Sequence, residues 1–194
     1  MIPAILLAAG ASTRMGQPKA LLTTTGGRTF AGAILETLRD AGLTDVVVVI
    51  RPGDTALAAE IAAAGFGRPI VNPRAADGQL TSLLAGLDAI DGPDVPAVLV
   101  TLVDVPLVRP PTIRTLCARA AVSTATVLRA VYRGRHGHPV IFKRALFDAL
   151  RAADPAVGAK AVVRAAAIED VEVDDPGVSE DVDTPSDYAR VIAR

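Results

Sequence analysis

The chain predicts an α/β fold: a mostly parallel sheet with helices on both faces and a small β-ribbon lobe. Three observations predict it. Residues 46–50, VVVVI, form an unbroken β-branched run, the pattern of a parallel strand buried on both faces. Through the first 120 residues such apolar runs alternate with helical segments of about ten residues, which implies right-handed βαβ units. Beyond residue 123 the pattern changes to two strand-like segments joined by a polar, glycine-containing connection, which reads as a ribbon.

Each element follows in chain order. Residues 3–8 read as the first strand, and a loop rich in small residues follows it. In residues 29–41, Ile34, Leu35 and Leu38 recur at helical spacing, with Gly42 as a stop signal. Residues 46–50 form the next strand, 56–64 a helix ending at Gly65, and 69–71 a short strand. A helix is expected over 81–90, with Thr81 or Ser82 as its N-cap, then a strand over 97–103 and a helix beginning near Pro110. Residues 124–132 and 137–142 are the ribbon strands, connected through 133–136. Helices over 145–152 and 160–167, an extended stretch over 168–173 and a final helix over 185–192 complete the chain. Thr184 is placed to cap the last of these.

With 194 residues and 51% hydrophobic content, the whole chain, 1–194, is expected to form a single domain around one substantial core. A net charge of −1, with the basic residues spread along the chain, argues against nucleic acid as a partner. Cys117 is the only cysteine, which excludes an internal disulfide and a cysteine-rich metal site. The apolar start lacks a basic flank and is too short for a secretory signal, and no stretch reaches the roughly 18 to 20 apolar residues of a membrane span. The expectation is a cytoplasmic protein with no membrane partner.

Residues 6–19, LLAAGASTRMGQPK, carry the strongest chemical signal. Ala8, Ala9, Gly10 and Ala11 have almost no side chain, so a polyphosphate can approach their backbone N–H groups, and Arg14 and Lys19 add positive charge nearby. The competing reading is a plain strand-to-helix turn with exposed basic residues. Gln17, Pro18 and Lys19 follow Gly16, so the segment is not a P-loop, and it lacks the glycines of a dinucleotide fingerprint. Because ligands of doubly wound sheets bind beyond the strand C-termini, this loop and Asp104, which follows the strand at 97–103, fall on one edge.

Several polar residues fit that edge, each against an ordinary alternative. Asp104, after an apolar strand, suits a hard divalent cation such as Mg²⁺, or else caps the helix near Pro110 or closes a turn. Asp181 and Asp183 are two apart and could face one ion, or belong to the capping of the final helix. Glu169, Asp170, Glu172, Asp174 and Asp175 read as a solvated acidic surface. Residues 72–87 place Asn72, Gln79, Thr81 and Ser82 where a strand hands over to a helix N-terminus, a place for anions or hydroxyls. His136 and His138 are too sparse for a metal site, and His138 is expected to contact a substrate or stabilise its loop.

Taken together and in order, LLAAGASTRMGQPKALL, NPRAADGQLTSLLAGL, LVDVP, GHPVIF and DVDTPSDY resemble the MobA-like NTP transferase family, and within it the molybdenum cofactor cytidylyltransferases. The resemblance runs from residue 4 to about 188. It implies a Rossmann-like, GT-A type nucleotidyltransferase fold, a nucleoside triphosphate substrate and Mg²⁺. It also implies that Leu7, Ala8, Ala9 and Gly10 hold base and ribose, Arg14 and Lys19 grip the triphosphate, and Asp104 with Asp183 binds the metal. Asn72 and Ser82 would line the nucleotide pocket, and His138 would lie towards the acceptor. LAAG in place of LAGG favours CTP over GTP, which makes the implied reaction transfer of CMP to the phosphate of molybdopterin, with a molybdoenzyme as the downstream partner.

Two departures stand out: Gln79 and Leu80 in GQLTSL, where the family often reads GMSSSL, and LVDVP in place of a CDMP-like form. The first leaves a sugar phosphate or another phosphorylated metabolite open as the acceptor. A reading from a different class is a non-catalytic maturation factor that holds a nucleotide or pterin.

Overall fold

The computed structural model describes residues 2–193. Seven strands form one sheet in the order β3-β2-β1-β4-β6-β5-β7. β1 (Ala4–Leu7) lies between β2 (Val46–Ile50) and β4 (Ala97–Leu102), parallel to both, and β3 (Arg68–Val71) adds a parallel edge beyond β2. The five residues of β2 are all buried, as a strand covered on both faces requires. β3 is the exposed edge.

The expected ribbon forms from β5 (Val127–Tyr132) and β6 (Arg135–Lys143). Arg133 and Gly134 both take positive φ, 49° and 76°, which is the twist a two-residue hairpin turn demands. The ribbon is continuous with the main sheet, because β6 pairs antiparallel with β4 and β7 (Ile168–Glu172) pairs parallel with β5. Pairing the far side of β4 removes an open edge from the centre of the protein.

Alternate residues of β1 serve two cores. Ala4 and Leu6 point to one face, with α1 (Phe30–Asp40), α2 (Thr55–Ala64), α4 (Pro110–Val122) and α7 (Pro185–Ile192). Ile5 and Leu7 point to the other, with α3 (Gln79–Ile90), α5 (Phe147–Ala152) and α6 (Lys160–Ala165). The period-two alternation of a strand thus divides the apolar residues between two layers. Among the described residues no helix is long and apolar enough to cross a membrane.

Helix ends follow local capping chemistry. The Thr29 hydroxyl accepts from Gly32 N, the Asp54 carboxylate from Leu57 N, and Thr184 and Asp187 form a reciprocal capping box at α7. α3 begins two residues before the expected start. Gly78, at φ 115°, occupies its N-cap, so Thr81 and Ser82 are not caps but buried members of the first turn.

Candidate active site

The strands β1, β2, β3 and β4 run in the same direction, so the segments that follow Leu7, Ile50, Val71 and Leu102 gather on one edge. After β1 the chain turns through 8–18 into a short 3-10 helix at Lys19–Leu21. Ala8 and Ala9 are buried beneath the loop, whereas Gly10 is exposed with no atom within 4 Å of where a Cβ would stand. Ser12, at φ 51°, accepts from Lys19 N through its hydroxyl at 3.1 Å, tying one end of the loop to the other.

That turn delivers Lys19 to two carboxylates. Its ammonium stands 2.5 Å from Asp183 Oδ1 and 3.9 Å from Asp104 Oδ2, with only 10% of its side chain exposed. Arg14, on the outside of the loop, reaches Asp183 Oδ2 at 2.8 Å. Hydrogen bonding from Lys19, reinforced by its charge and that of Arg14, holds the Asp183 carboxyl below the usual range. Asp104 is pushed up to about 6, because burial outweighs the more distant Lys19 and the charges of Asp181 and Asp183 oppose its ionisation. The two carboxylates therefore differ first in burial, which raises Asp104, and second in the closer ammonium, which lowers Asp183.

Asp104 Oδ1 is buried with no hydrogen-bond partner in the described structure. Arg109, not Asp104, occupies the N-cap of α4, so the capping alternative for Asp104 does not hold. An orphaned carboxylate oxygen beside a second carboxylate suits a hard cation. Among the described residues no group of three or more His, Cys, Asp or Glu could hold a metal ion. One or two carboxylates fit Mg²⁺, which completes its shell with water and phosphate oxygens.

The β3–α3 junction is a closed polar knot. Asn72, 2% exposed, donates both amide hydrogens, to Thr81 Oγ1 at 2.9 Å and Ser82 Oγ at 3.0 Å, and accepts from Arg74 N. Thr81 in turn donates towards the carbonyls of Arg74 and Gly78. These contacts set the path of Gly78 and Gln79, which line a cavity of about 780 Å³ on the α3 side of the sheet. Leu7, Leu80, Val100 and Leu102 give it an apolar floor, while Arg135, Lys160 and Arg164 bring cations and Asp181 a carboxylate to its lining. A smaller cavity, about 260 Å³, opens beside the loop between Ala8, Lys19 and Arg51.

His138 lines the larger cavity from β6. Continuing the β4–β6 register from Val100 opposite Val140 places it across from Leu102, two residues before Asp104. Burial holds its imidazole below the usual histidine range, and its buried Nδ1 has no partner in the described structure. A ring held towards its neutral form, with one buried polar atom unpartnered, thus stands in the cavity lining.

Arg14, Lys19, Asp104 and Asp183 thus come together, with Gly10 beside them. Asn72 and Ser82 meet each other at the junction, and His138 stands on the cavity. Sequence reasoning missed Arg135, Lys160 and Arg164, whose only signal was their charge. It also misread one member of the acidic run: Asp175 is buried, whereas Glu169, paired with Arg119 and Ser123, and Asp170, paired with Arg129, stay at the surface.

Comparison with known proteins agrees with this geometry. The MobA-like NTP transferase domain matches residues 4–171. Bifunctional protein GlmU from Azorhizobium caulinodans is 36% identical over 126 residues, 64% of this chain, and the match spans only 28% of that relative's length. Rv0371c from Mycobacterium tuberculosis H37Rv, a solved structure, superposes over 100% of this chain and 99% of its own with a TM-score of 0.84 at 28% identity. A manganese complex of the same mycobacterial protein covers 99% and 98% of the two chains with a TM-score of 0.79 at 27% identity. Molybdopterin-guanine dinucleotide biosynthesis protein A from Archaeoglobus fulgidus shares the fold, with a TM-score of 0.73 at 18% identity over 100% and 97% of the chains. Domain match, fold and the arrangement of loop and carboxylates converge: this chain belongs to the MobA-like NTP transferase family and is a nucleotidyltransferase.

Proposed function

We propose that the protein transfers CMP from CTP to the phosphate of molybdopterin, releasing pyrophosphate, in the cytoplasm. The observation that carries this reading is the meeting of Arg14 and Lys19 with Asp104 and Asp183 at the mouth of the loop. An acceptor phosphate oxygen forms a bond to the α-phosphorus as the bond to the bridging oxygen breaks, and pyrophosphate departs with the electron pair. No protein nucleophile is required, so positioning and charge neutralisation supply the catalysis.

Leu7, Ala8, Ala9 and Gly10 hold base and ribose, and the open space at Gly10 favours close approach of the ligand. Arg14 and Lys19 offset charge on the leaving pyrophosphate. Asp104 and Asp183 would hold Mg²⁺, which supplies positive charge to the triphosphate oxygens. The manganese bound to the mycobacterial relative supports a divalent ion in this role. Asn72 and Ser82 serve the nucleotide pocket by shaping the α3 N-terminus. His138, held towards its neutral form in the lining of the large cavity, contacts the acceptor. The second alanine of LAAG supports cytidine.

A second reading keeps the reaction and changes the acceptor. Gln79 and Leu80 line the cavity in this chain, and their departure from the family pattern favours a sugar phosphate or another phosphorylated metabolite. Pyrophosphate release from CTP, GTP, ATP and UTP, measured with Mg²⁺ against molybdopterin and a panel of sugar phosphates, separates the two. Release with CTP and molybdopterin alone supports the first, release with a sugar phosphate alone the second. Tight nucleotide binding without any Mg²⁺-dependent release would leave a non-catalytic carrier.

A further inference from the structure

Asp183 owes its place beside Asp104 to a strap, residues 175–184, that crosses the C-terminal edge of the sheet before α7. The strap starts at a buried carboxylate. Asp175 is 2% exposed; its Oδ2 accepts from Arg109 N at 2.8 Å and Thr112 Oγ1 at 2.6 Å, both at the start of α4. Its Oδ1 accepts from Gly177 N at 3.1 Å and pairs with Arg109 Nε at 3.2 Å. One oxygen therefore holds the start of α4, while the other holds the first turn of the strap and the Arg109 side chain.

Two glycines let the strap lie flat. A Cβ on Gly177 would stand 2.4 Å from Leu107 O, and one on Gly137 in β6 would stand 1.6 Å from Val178 O. Both obstacles are backbone, so neither can rotate away. Val178 and Val182 are fully buried, and Val182 N donates to Asp104 O at 2.8 Å. The strap thus runs from Asp175 to a backbone bond with the residue that carries the first carboxylate, and Asp183 follows at once.

We infer that Asp175 is a positioning residue of the active site: with Gly137 as the opposing wall, it fixes the strap so that Asp183 stands beside Asp104. This inference rests on the reading of that carboxylate pair as the divalent-cation site. Asp175→Asn tests it at nearly constant volume. An amide has a single acceptor oxygen, so it can serve Arg109 N and Thr112 or Gly177 N and Arg109 Nε, and sets an NH₂ against the other pair. Gly137→Ala displaces the strap from the opposite side without touching Asp175.

The experiment titrates Mn²⁺ alone into the full-length chain and follows free Mn²⁺ by electron paramagnetic resonance, with the melting temperature of each variant recorded. Ile61→Ala, a truncation in α2 remote from the strap, controls for lost stability. Supporting tissue around a metal ligand is worth about 10- to 100-fold in metal affinity. Asp175→Asn and Gly137→Ala are each expected to weaken Mn²⁺ binding by at least about 10-fold, with Ile61→Ala keeping the wild-type affinity at a comparable loss of melting temperature. Wild-type affinity in folded Asp175→Asn, or an equal loss in Ile61→Ala, overturns the inference alone. If either strap variant fails to fold, the other decides by the same criterion, and if both fail, a tenfold loss in Thr112→Val, which removes one donor to Asp175, is required. No Mn²⁺ uptake by the wild-type chain overturns the metal reading, and this inference with it.

Discussion

Lys19 Nζ lies 2.5 Å from Asp183 Oδ1, joining residues 164 positions apart through a side chain almost withdrawn from solvent. The same ammonium faces Asp104 Oδ2 at 3.9 Å, so a single positive charge serves both carboxylates. An incoming triphosphate competes for that charge, and release of the carboxylates is then coupled to phosphate binding.

Lys19→Met keeps the length of the side chain and removes its charge. Turnover is expected to fall roughly 10²- to 10³-fold, the range for loss of one preorganised charge stabiliser. Lys19→Arg is not expected to restore it, because a planar guanidinium neither fits the enclosed position of the ammonium nor places its charge at the same point. Steady-state pyrophosphate release measures both variants, and near-normal turnover in Lys19→Met removes Lys19 from the catalytic group.

Asp104 links stability to pH in the direction opposite to an ordinary ion-paired carboxylate. Its folded pKa of about 6 lies above the ordinary 3.8, so below 3.8 it is protonated in both states and has no effect. Above about 6 it is ionised in both states, and burial disfavours the folded one by at most about 3 kcal/mol. Asp104→Asn is therefore expected to stabilise the metal-free protein above pH 6, with the gain shrinking as pH falls and vanishing below 3.8. Activity moves the other way: it is abolished in the variant, and in the wild type the affinity for Mn²⁺ alone weakens as pH falls through about 6, where a proton competes for the carboxylate. Urea denaturation at pH 4 and pH 7.5, in EDTA, checks the first expectation, and Mn²⁺ titration over the same pH range the second. A destabilised variant at pH 7.5 would contradict the assignment of burial as the dominant effect.

The legible parts of this protein were the ones encoded locally. A β-branched run announced β2, small residues followed by two cations announced the loop that carries Arg14 and Lys19 to the carboxylates, and Thr184 before Pro185 announced the cap of α7. Asp104 was readable because an aspartate after an apolar strand has few comfortable surroundings. What could not be read depends on contacts between distant segments. Asp175 looked like one more charge in an acidic run, since nothing near it in the chain reveals that Arg109 and Thr112 will enclose it. Thr81 and Ser82 looked like caps because the amide that binds them, Asn72, lies across the β3–α3 turn. The cations lining the cavity come from β5, β6 and α6 and carried no pattern of their own.

Asn72 offers a test of whether the β3–α3 junction acts through shape. Asn72→Ala leaves the buried Thr81 and Ser82 hydroxyls without their shared donor and removes the acceptor of Arg74 N. The expected loss is about 1–3 kcal/mol of stability, the range for leaving buried polar groups unsatisfied. If the junction shapes the nucleotide pocket, KM for CTP rises while the affinity for Mn²⁺ alone is unchanged. Unchanged KM in the destabilised variant would confine Asn72 to a structural role.

Gly10 and Gly86 separate a glycine with open space beside it from one required by packing. A Cβ at Gly86 would stand 2.6 Å from Ile5 Cγ2, where α3 crosses β1, and the β-branched Ile5 has little freedom to move aside. Gly86→Ala is accordingly expected to destabilise the fold by about 1–3 kcal/mol, the usual effect of overpacking a core. At Gly10 nothing lies within 4 Å and φ is not positive, so a side chain meets no obstacle in the ligand-free protein. Gly10→Val should hold the wild-type stability within about 0.5 kcal/mol, as substitutions away from packed or strained positions do. Its isopropyl group then occupies the space beside Lys19 that the proposed function assigns to the triphosphate. Thermal-shift titration with CTP and Mg²⁺ reads the difference directly: a ligand-induced shift retained in Gly86→Ala and lost in Gly10→Val is the expected result. An undiminished shift in Gly10→Val would move the nucleotide away from this loop.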